Sequence, residues 1–538
     1  MIRKLIILFT FIFIGINGKA QYRPQDQIYQ YAVKMGGRSV YLWIPPHCKE
    51  VKGVIVSLSN LLERNWLEDP IIRSTAADIG LGIIWVGPDK RGSQVFTADM
   101  KPGMDLIFQQ MMDDLATQSG YAELKTTPVI PMGHSANGHF AWTFANAFPD
   151  RTIACIPVKT IPLPEALGFK NIPFCYIVGE TTEWPQYRVP DPATKPGDRD
   201  FYWPVVQKGA LVLRAENQDN LIGVVTDPGG GHFDWSDHLA RYIALYIRKA
   251  CQYRLSAKPN GPLRPVNRLS GWLTGTGGME KDEFLAAPYQ SYKGGSANGY
   301  WFFDKETAMA AVDFEGDRIK RKKQMLTFIQ DGQLLPVAKL GYAALKFVPD
   351  TDGISFQLKG GFLPQLPPEL IGSGQKLGHT EKTPIKFRVI TGPAIQTGPS
   401  SFRLQFDRSG MGGELWIQEE NAGDAEYRRA VQPGKLNIPA KLTAGRPQEI
   451  TFNKIADIKP GTRQMILQAK SNAGLPVDYY VIAGPAYVEK GMLKFTPIPV
   501  KSKYPVKVAV VAYQWGRNNG RLYQSAAPVE QVFYIVSR

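Results

Sequence analysis

The sequence predicts a multidomain protein: a mostly parallel α/β sheet with flanking helices, followed by all-β modules. Three observations predict it. Up to about residue 255, short apolar runs alternate with helical patterns. From about residue 341 helical patterning vanishes and Gly, Pro and β-formers dominate. Within that second half a segment repeats. A chain of 538 residues suits several domains, and 44% hydrophobic residues can fill their cores, which excludes a mainly disordered protein.

Arg3 and Lys4 precede an apolar run from Leu5 to Ile16, and Gly18-Lys19-Ala20 follows. A charged start, an apolar stretch too short to span a bilayer and a small-x-small end predict a signal peptide over 1–20. Cleavage near Ala20 would export the chain to the periplasm or outside the cell. No later apolar run is long enough for a membrane span.

In the domain expected over 21–255, the strand candidates are Ser39–Ile44, Gly53–Leu58, Gly82–Val86, Pro128–Met132, Thr152–Val158, Pro173–Val178 and Leu221–Thr226. Helical stretches include Asp105–Gln118 and Asn137–Phe148, the latter stopped by Pro149. After Ser236, a plausible N-cap, Leu239, Tyr242, Ile243, Tyr246 and Ile247 follow the spacing of an amphipathic helix. Residues 256–340 read as an extension packed on this domain, with a linker at Pro259–Pro265 and a helical segment over Trp301–Met325. The basic run Arg318–Lys323 reads as a solvated helix face.

Two β-sandwich modules are expected beyond, over 341–447 and 448–538. Phe387-Arg388-Val389-Ile390-Thr391-Gly392-Pro393-Ala394 returns as Tyr479-Tyr480-Val481-Ile482-Ala483-Gly484-Pro485-Ala486. Tyr427-Arg428-Arg429-Ala430 is echoed by Tyr523-Gln524-Ser525-Ala526. Both offsets are about ninety residues, the size of one immunoglobulin-like sandwich. The last segment, from Ser471-Asn472-Ala473-Gly474 to Ala526-Ala527-Pro528-Val529, resembles the Ig-like modules at the C-termini of exported Bacteroidetes proteins.

Four cysteines in so long a chain are no disulfide scaffold. Cys155 and Cys175 lie in apolar runs and read as buried thiols, while Cys48 and Cys251 could bridge. There is no CxxC and no clustered His/Cys pattern, so no metal site is implied. The net charge of +15 favours acidic polysaccharide or an anionic surface. Nucleic acid is not expected, for no basic stripe with interleaved aromatics is visible.

The strongest chemical signal is Pro128-Val129-Ile130-Pro131-Met132-Gly133-His134-Ser135-Ala136-Asn137-Gly138. A strand runs into a tight turn bearing Ser135, and a helix follows at once. That is the setting of a nucleophile elbow, in which the turn lifts a serine hydroxyl above the sheet edge. On these residues, segment 35–250 resembles the α/β-hydrolase superfamily. The family pattern G-x-S-x-G would have Gly at 137, whereas this chain has Asn137 with Gly138 next.

The resemblance implies a Ser-His-acid triad in the chain order Ser, acid, His. His47, His134 and His139 precede or adjoin Ser135, and His379 lies among the β-modules. Of the two remaining, His232 follows a strand and Gly229-Gly230-Gly231, while His238 falls inside the helix, so His232 is the expected base. The acid should stand after Pro173–Val178. The position that relatives fill there is Thr182; Glu183 is preferred, Glu180 is the alternative, and Asp191, Asp198 and Asp200 also qualify. For the oxyanion hole, Ala136 N–H and Leu61 N–H are expected. Trp184, Trp203 and Trp235 lie in loops that would border the site, as substrate-binding faces or as wall packing.

These residues imply an exported serine esterase needing no metal or organic cofactor. Its substrate is an ester, in the favoured case linked to polysaccharide, by analogy with similar exported hydrolases. Two other readings share the same residues: a serine peptidase, and an inactive hydrolase-like protein acting in glycan binding or adhesion. The β-modules, carrying none of the triad, are expected to act as spacers or as contacts to surface or substrate.

Overall fold

The computed structural model describes residues 24–35, 37–88, 96–160, 162–183, 202–258, 261–277, 284–337, 341–368 and 370–537. The expected signal peptide, together with Trp184, Asp191, Asp198 and Asp200, lies outside the described residues.

Eight strands form the central sheet: β1 Tyr31–Met35, β2 Arg38–Trp43, β3 Gly53–Leu58, β4 Leu81–Val86, β5 Val129–Ser135, β6 Ile156–Thr160, β7 Phe174–Gly179 and β8 Ile222–Asp227. Their order is β1-β2-β4-β3-β5-β6-β7-β8. β1, β2 and β4 pair antiparallel, and every pairing from β4 through β3 to β8 is parallel. Strands β3, β4, β6, β7 and β8 are buried at every position. Sheets covered on both faces need apolar residues on both, which explains the unbroken apolar runs in the sequence.

Eight helices accompany the sheet among the described residues: α1 Glu63–Leu67, α2 Pro70–Ile79, α3 Met104–Ser119, α4 Phe140–Ala147, α5 Glu180–Glu183, α6 Tyr202–Glu216, α7 Asp237–Arg254 and α8 Lys305–Lys320. The Ser236 hydroxyl caps α7, accepting from Leu239 N–H at 3.1 Å. The apolar stripe of α7 is buried, and it extends the core that holds Trp66, Trp85, Trp235 and Trp301. A second core on the opposite side gathers Phe96, Phe108, Phe140 and Phe144. No helix among the described residues is long and apolar enough to cross a membrane.

The helix expected over Trp301–Met325 is shorter. Tyr300–Phe302 pairs as a strand with Trp272–Thr274, and Asp304 starts α8 by a capping box with Thr307. The basic run is not a solvated helix face throughout, because α8 ends at Lys320. Lys322 is exposed and pairs with Glu426 at 2.6 Å. Lys323 turns inward, and burial, with Arg428 beside it, pushes its ammonium down to about 8.

Beyond α8 the described residues hold strands and turns but no helix. Strand Leu326–Gln330 pairs with Lys359–Phe362, so the β-rich region begins ahead of residue 341. Its sheets are mostly antiparallel. The sequence repeat is a structural one. Ile385–Thr391 and Asp478–Ala483 each carry an irregularity at the same place, between Val389 and Thr391 and between Val481 and Ala483. A tight corner follows in both, with Ala394 N–H donating to Gly392 O and Ala486 N–H to Gly484 O.

The β-region does not hang from the first domain as a spacer. Arg64 of α1 pairs with Asp407 at 2.7 Å, and buried Asn65 Nδ2 donates to Ile390 O at 2.8 Å. Ile390 and Trp416 belong to the same core as Trp235. Cys48 and Cys251, the pair that could have bridged, are free and buried, as are Cys155 and Cys175.

Candidate functional site

The turn after β5 holds Ser135 at φ 51°, a left-handed conformation that non-glycine residues seldom adopt. Asn137 N–H donates to His134 O and Gly138 N–H to Ser135 O, closing the turn before α4. The small residue is required at 138. A Cβ there would lie 2.2 Å from the Cβ of Thr160 on β6. Position 137 instead makes a tie, since Asn137 Nδ2 donates to Ser59 O at 3.0 Å and to Leu58 O at 3.4 Å. The departure from G-x-S-x-G therefore moves the glycine by one residue and adds a brace to the end of β3.

The loop between β8 and α7 brings His232 onto this serine. His232 Nε2 lies 2.8 Å from Ser135 Oγ, and Nδ1 lies 2.6 Å from Glu183 Oε1. With the Nδ1 proton held toward the carboxylate, Nε2 is left to accept from the serine hydroxyl. Glu183, not Glu180, stands behind the histidine. Its other oxygen accepts from Gly179 N–H at 2.6 Å. A glutamate reaches one methylene further than an aspartate, so it serves from one residue beyond the position that relatives use. Thr182, at that position, accepts from His232 N–H at 2.9 Å. Glu180 Oε2 accepts from Gly229 N–H at 2.5 Å, and Oε1 from Arg428 at 2.6 Å. His238 stacks on Phe314 of α8 with ring centroids 4.3 Å apart.

Ala136 N–H directly follows Ser135 in the turn. Leu61 stands in the loop after β3, next to Asn60. Asn60 N–H, one residue earlier, donates to Glu63 Oε2 at 2.9 Å. Glu63 Oε1 accepts from His134 N–H at 3.1 Å, so one buried carboxylate links the β3 loop to the nucleophile turn. Burial pushes this carboxyl up to about 8. Burial, then neighbouring His232, holds the His134 imidazole well below its ordinary value. Neutral His134 can thus donate Nε2–H to His232 O, 2.8 Å away.

The two tryptophans that are described are wall residues, not exposed binding faces. Trp235 is fully buried, 5.8 Å from Trp66, and donates to Asp69 Oδ2 at 2.9 Å. Trp203 is buried with its ring edge-on to Tyr300. The aromatic beside the histidine is Phe233, edge-on at 4.5 Å, and behind it stand Trp416 at 4.6 Å and Tyr342 at 6.1 Å. Among the described residues no group of three or more His, Cys, Asp or Glu is placed to hold a metal ion.

No family model matches this sequence, and no curated protein does. Solved structures do. A predicted CIB-like hydrolase from Thermoplasma acidophilum is 10% identical, with 41% of this chain and 97% of that one covered at a TM-score of 0.28. An S-formylglutathione hydrolase from Agrobacterium tumefaciens is 16% identical, covering 41% and 93% at 0.28. An acetyl xylan esterase from Aspergillus awamori is 12% identical, covering 28% and 71% at 0.22. The N-terminal part of this chain is a mostly parallel sheet with flanking helices, and mostly antiparallel β-sheets follow it.

Proposed function

We propose that this protein is an exported serine hydrolase that cleaves carboxylic esters, with carbohydrate-linked esters as its substrate class. The observation that carries the reading is the unbroken chain Ser135 Oγ, His232, Glu183 at 2.8 and 2.6 Å, built on a strained nucleophile turn. Ser135 Oγ attacks the carbonyl carbon while His232 Nε2 takes its proton, and Glu183 steadies the imidazolium that forms. Ala136 N–H faces the developing oxyanion. Collapse of the tetrahedral intermediate expels the alcohol, which receives the proton from His232. Water, deprotonated by the same histidine, then hydrolyses the acyl-enzyme and frees Ser135.

Covalent labelling by a fluorophosphonate probe tests the reading. The wild-type chain should label and the Ser135→Ala variant should not. A chain that never labels would be an inactive glycan-binding or adhesion protein. A panel of acetylated, feruloylated and peptide substrates then separates esterase from peptidase.

A further inference from the structure

We propose that the C-terminal β-region is part of the catalytic apparatus: Gln418 and Arg429 are positioning residues that hold the loop carrying His232. The proposal rests on the serine-hydrolase reading above.

The loop runs from β8 to α7 and includes three successive glycines, the residues with most backbone freedom to lose. The first domain holds it at its centre. His232 N–H donates to Thr182, His134 faces His232 O, and Thr181 N–H donates to Gly230 O. On both flanks, where Glu180 and Asp69 of the first domain also bond the loop, the β-region adds a grip on its backbone. Arg429 Nη1 donates to Pro228 O at 3.0 Å, and a Cβ on Gly229 would lie 2.3 Å from Arg429 O. On the far side Gln418 pairs its amide with the backbone of Trp235, accepting from N–H at 3.0 Å and donating to O at 2.7 Å. Between them Phe233 packs on Trp416, and Arg388 pairs with Asp237 at 2.5 Å.

The charges beneath the loop join the same two parts of the chain. Lys159 lies 2.9 Å from Asp227 and 3.1 Å from Asp234, all three fully buried. Arg429 completes the cluster from the β-region at 3.6 Å and 3.8 Å from those carboxylates, and pairs with Glu420 at 2.7 Å. Asp234 also accepts from Gly231 N–H at 2.5 Å, one residue before the base. A catalytic side chain must sit within about 0.5 Å of its productive position, so what fixes this loop fixes the rate. Neither Gln418 nor Arg429 touches the reacting atoms. Both act through the backbone that places His232.

The test uses the full chain with Gln418→Met and Arg429→Lys, which leave the triad intact. Reactive sites are counted by fluorophosphonate titration, and kcat and KM for p-nitrophenyl acetate are expressed per titrated site, so unfolded chains drop out. The expected result is a fall in kcat of about tenfold to a hundredfold. KM should stay within about twofold, because substrate contacts are untouched. Wild-type kcat per site in either variant overturns the role of the residue changed. If a variant does not titrate, hydrogen exchange decides: faster exchange confined to 228–237 supports the proposal, and exchange raised throughout β3–β8 overturns it. A wild-type chain that never titrates would overturn the serine-hydrolase reading and this one with it, whereas a titrating wild type with unaffected variants overturns this one alone.

Discussion

Replacing Gly138 with alanine puts the nucleophile turn to a direct test. The added Cβ would stand 2.2 Å from Thr160 Cβ, 2.3 Å from its Oγ1 and 2.7 Å from its Cγ2, where ordinary contact begins at 3.4 Å. Something must move by more than 1 Å, because 2.2 Å falls that far short of 3.4 Å. Thr160 is poorly placed to yield. Its hydroxyl donates to Ser135 O, and its carbonyl accepts from buried Tyr176 OH at 2.6 Å. The start of α4 therefore moves, and Ser135 moves with it. A displacement of about 1 Å at a reacting group can lower kcat on the order of a hundredfold. Overpacking should also cost about 1–3 kcal/mol of stability. Asn137→Gly restores the family pattern and is the control. It loses two bonds to the β3 loop, at a cost of about 1 kcal/mol, and should stay within a few-fold of wild-type turnover. Turnover of p-nitrophenyl acetate and urea unfolding measure both variants. Near-normal kcat in Gly138→Ala, with Asn137→Gly the more damaged, would refute this account of the turn.

Ser135→Ala should reduce ester turnover on the order of a thousandfold or more while leaving the unfolding curve unchanged; a mutant that still hydrolyses the reporter would remove Ser135 from the mechanism. Trp203→Ala and Trp235→Ala should each lower stability by about 3–5 kcal/mol, read by denaturant unfolding, and should leave KM unaltered where the variant folds. For Glu63 the folded carboxyl holds a proton up to about 8 that the unfolded chain releases near its ordinary value of 4.5. Its contribution to stability is therefore complete at low pH and is lost as pH rises through that window. Unfolding midpoints of wild type and Glu63→Gln between these limits should converge as the pH rises, and parallel curves would contradict the assignment. A chain of residues 21–340, which would keep its rate on a small soluble ester if the β-modules were only spacers, should instead lose most of it, since the bracing of the His232 loop goes with the β-region. Full soluble-ester activity in that shortened chain would show the bracing to be dispensable.

The central sheet was legible because its buried strands are mainly apolar, a local signal needing no partner, with polar residues such as Lys159, Thr160, Thr226 and Asp227 confined to their C-terminal ends. β1 carries no such signal. Tyr31–Met35 is buried only at its two ends, and its place is set by antiparallel pairing with β2. The nucleophile turn could be read from Gly133 to Gly138 because strand, turn and helix are consecutive there. The histidine followed from chain order. The acid was harder, because α5 carries Glu180 and Glu183 in a single turn, and only the neighbours of each decide which one turns to His232. The buried Glu63, which ties Asn60 N–H to His134 N–H, went unseen because no local pattern announces its burial. Trp203 and Trp235 sit where a binding face would suit, yet tertiary packing buries both. The contacts of Arg428 and Arg429 with Glu180 and Asp227 join residues some two hundred positions apart, and no periodicity reports on that.

The duplicated β-unit contains its own comparison. Tyr427-Arg428-Arg429-Ala430 and Tyr523-Gln524-Ser525-Ala526 occupy matching places, since Lys322 bridges to Tyr427 as Arg446 bridges to Tyr523, both in parallel. In the later copy the side chains stay within the β-region, with the Ser525 hydroxyl accepting from Leu442 N–H at 2.7 Å. The same place in the unit is thus filled once by a neutral pair and once by two arginines, of which Arg429 also pairs with Glu420 of its own unit at 2.7 Å. Only the first copy spends this place on the neighbouring sheet, where Arg428 meets Glu180 and Arg429 meets Asp227 and Asp234; a change of charge there is felt in two layers at once, and a change at Gln524 or Ser525 in one.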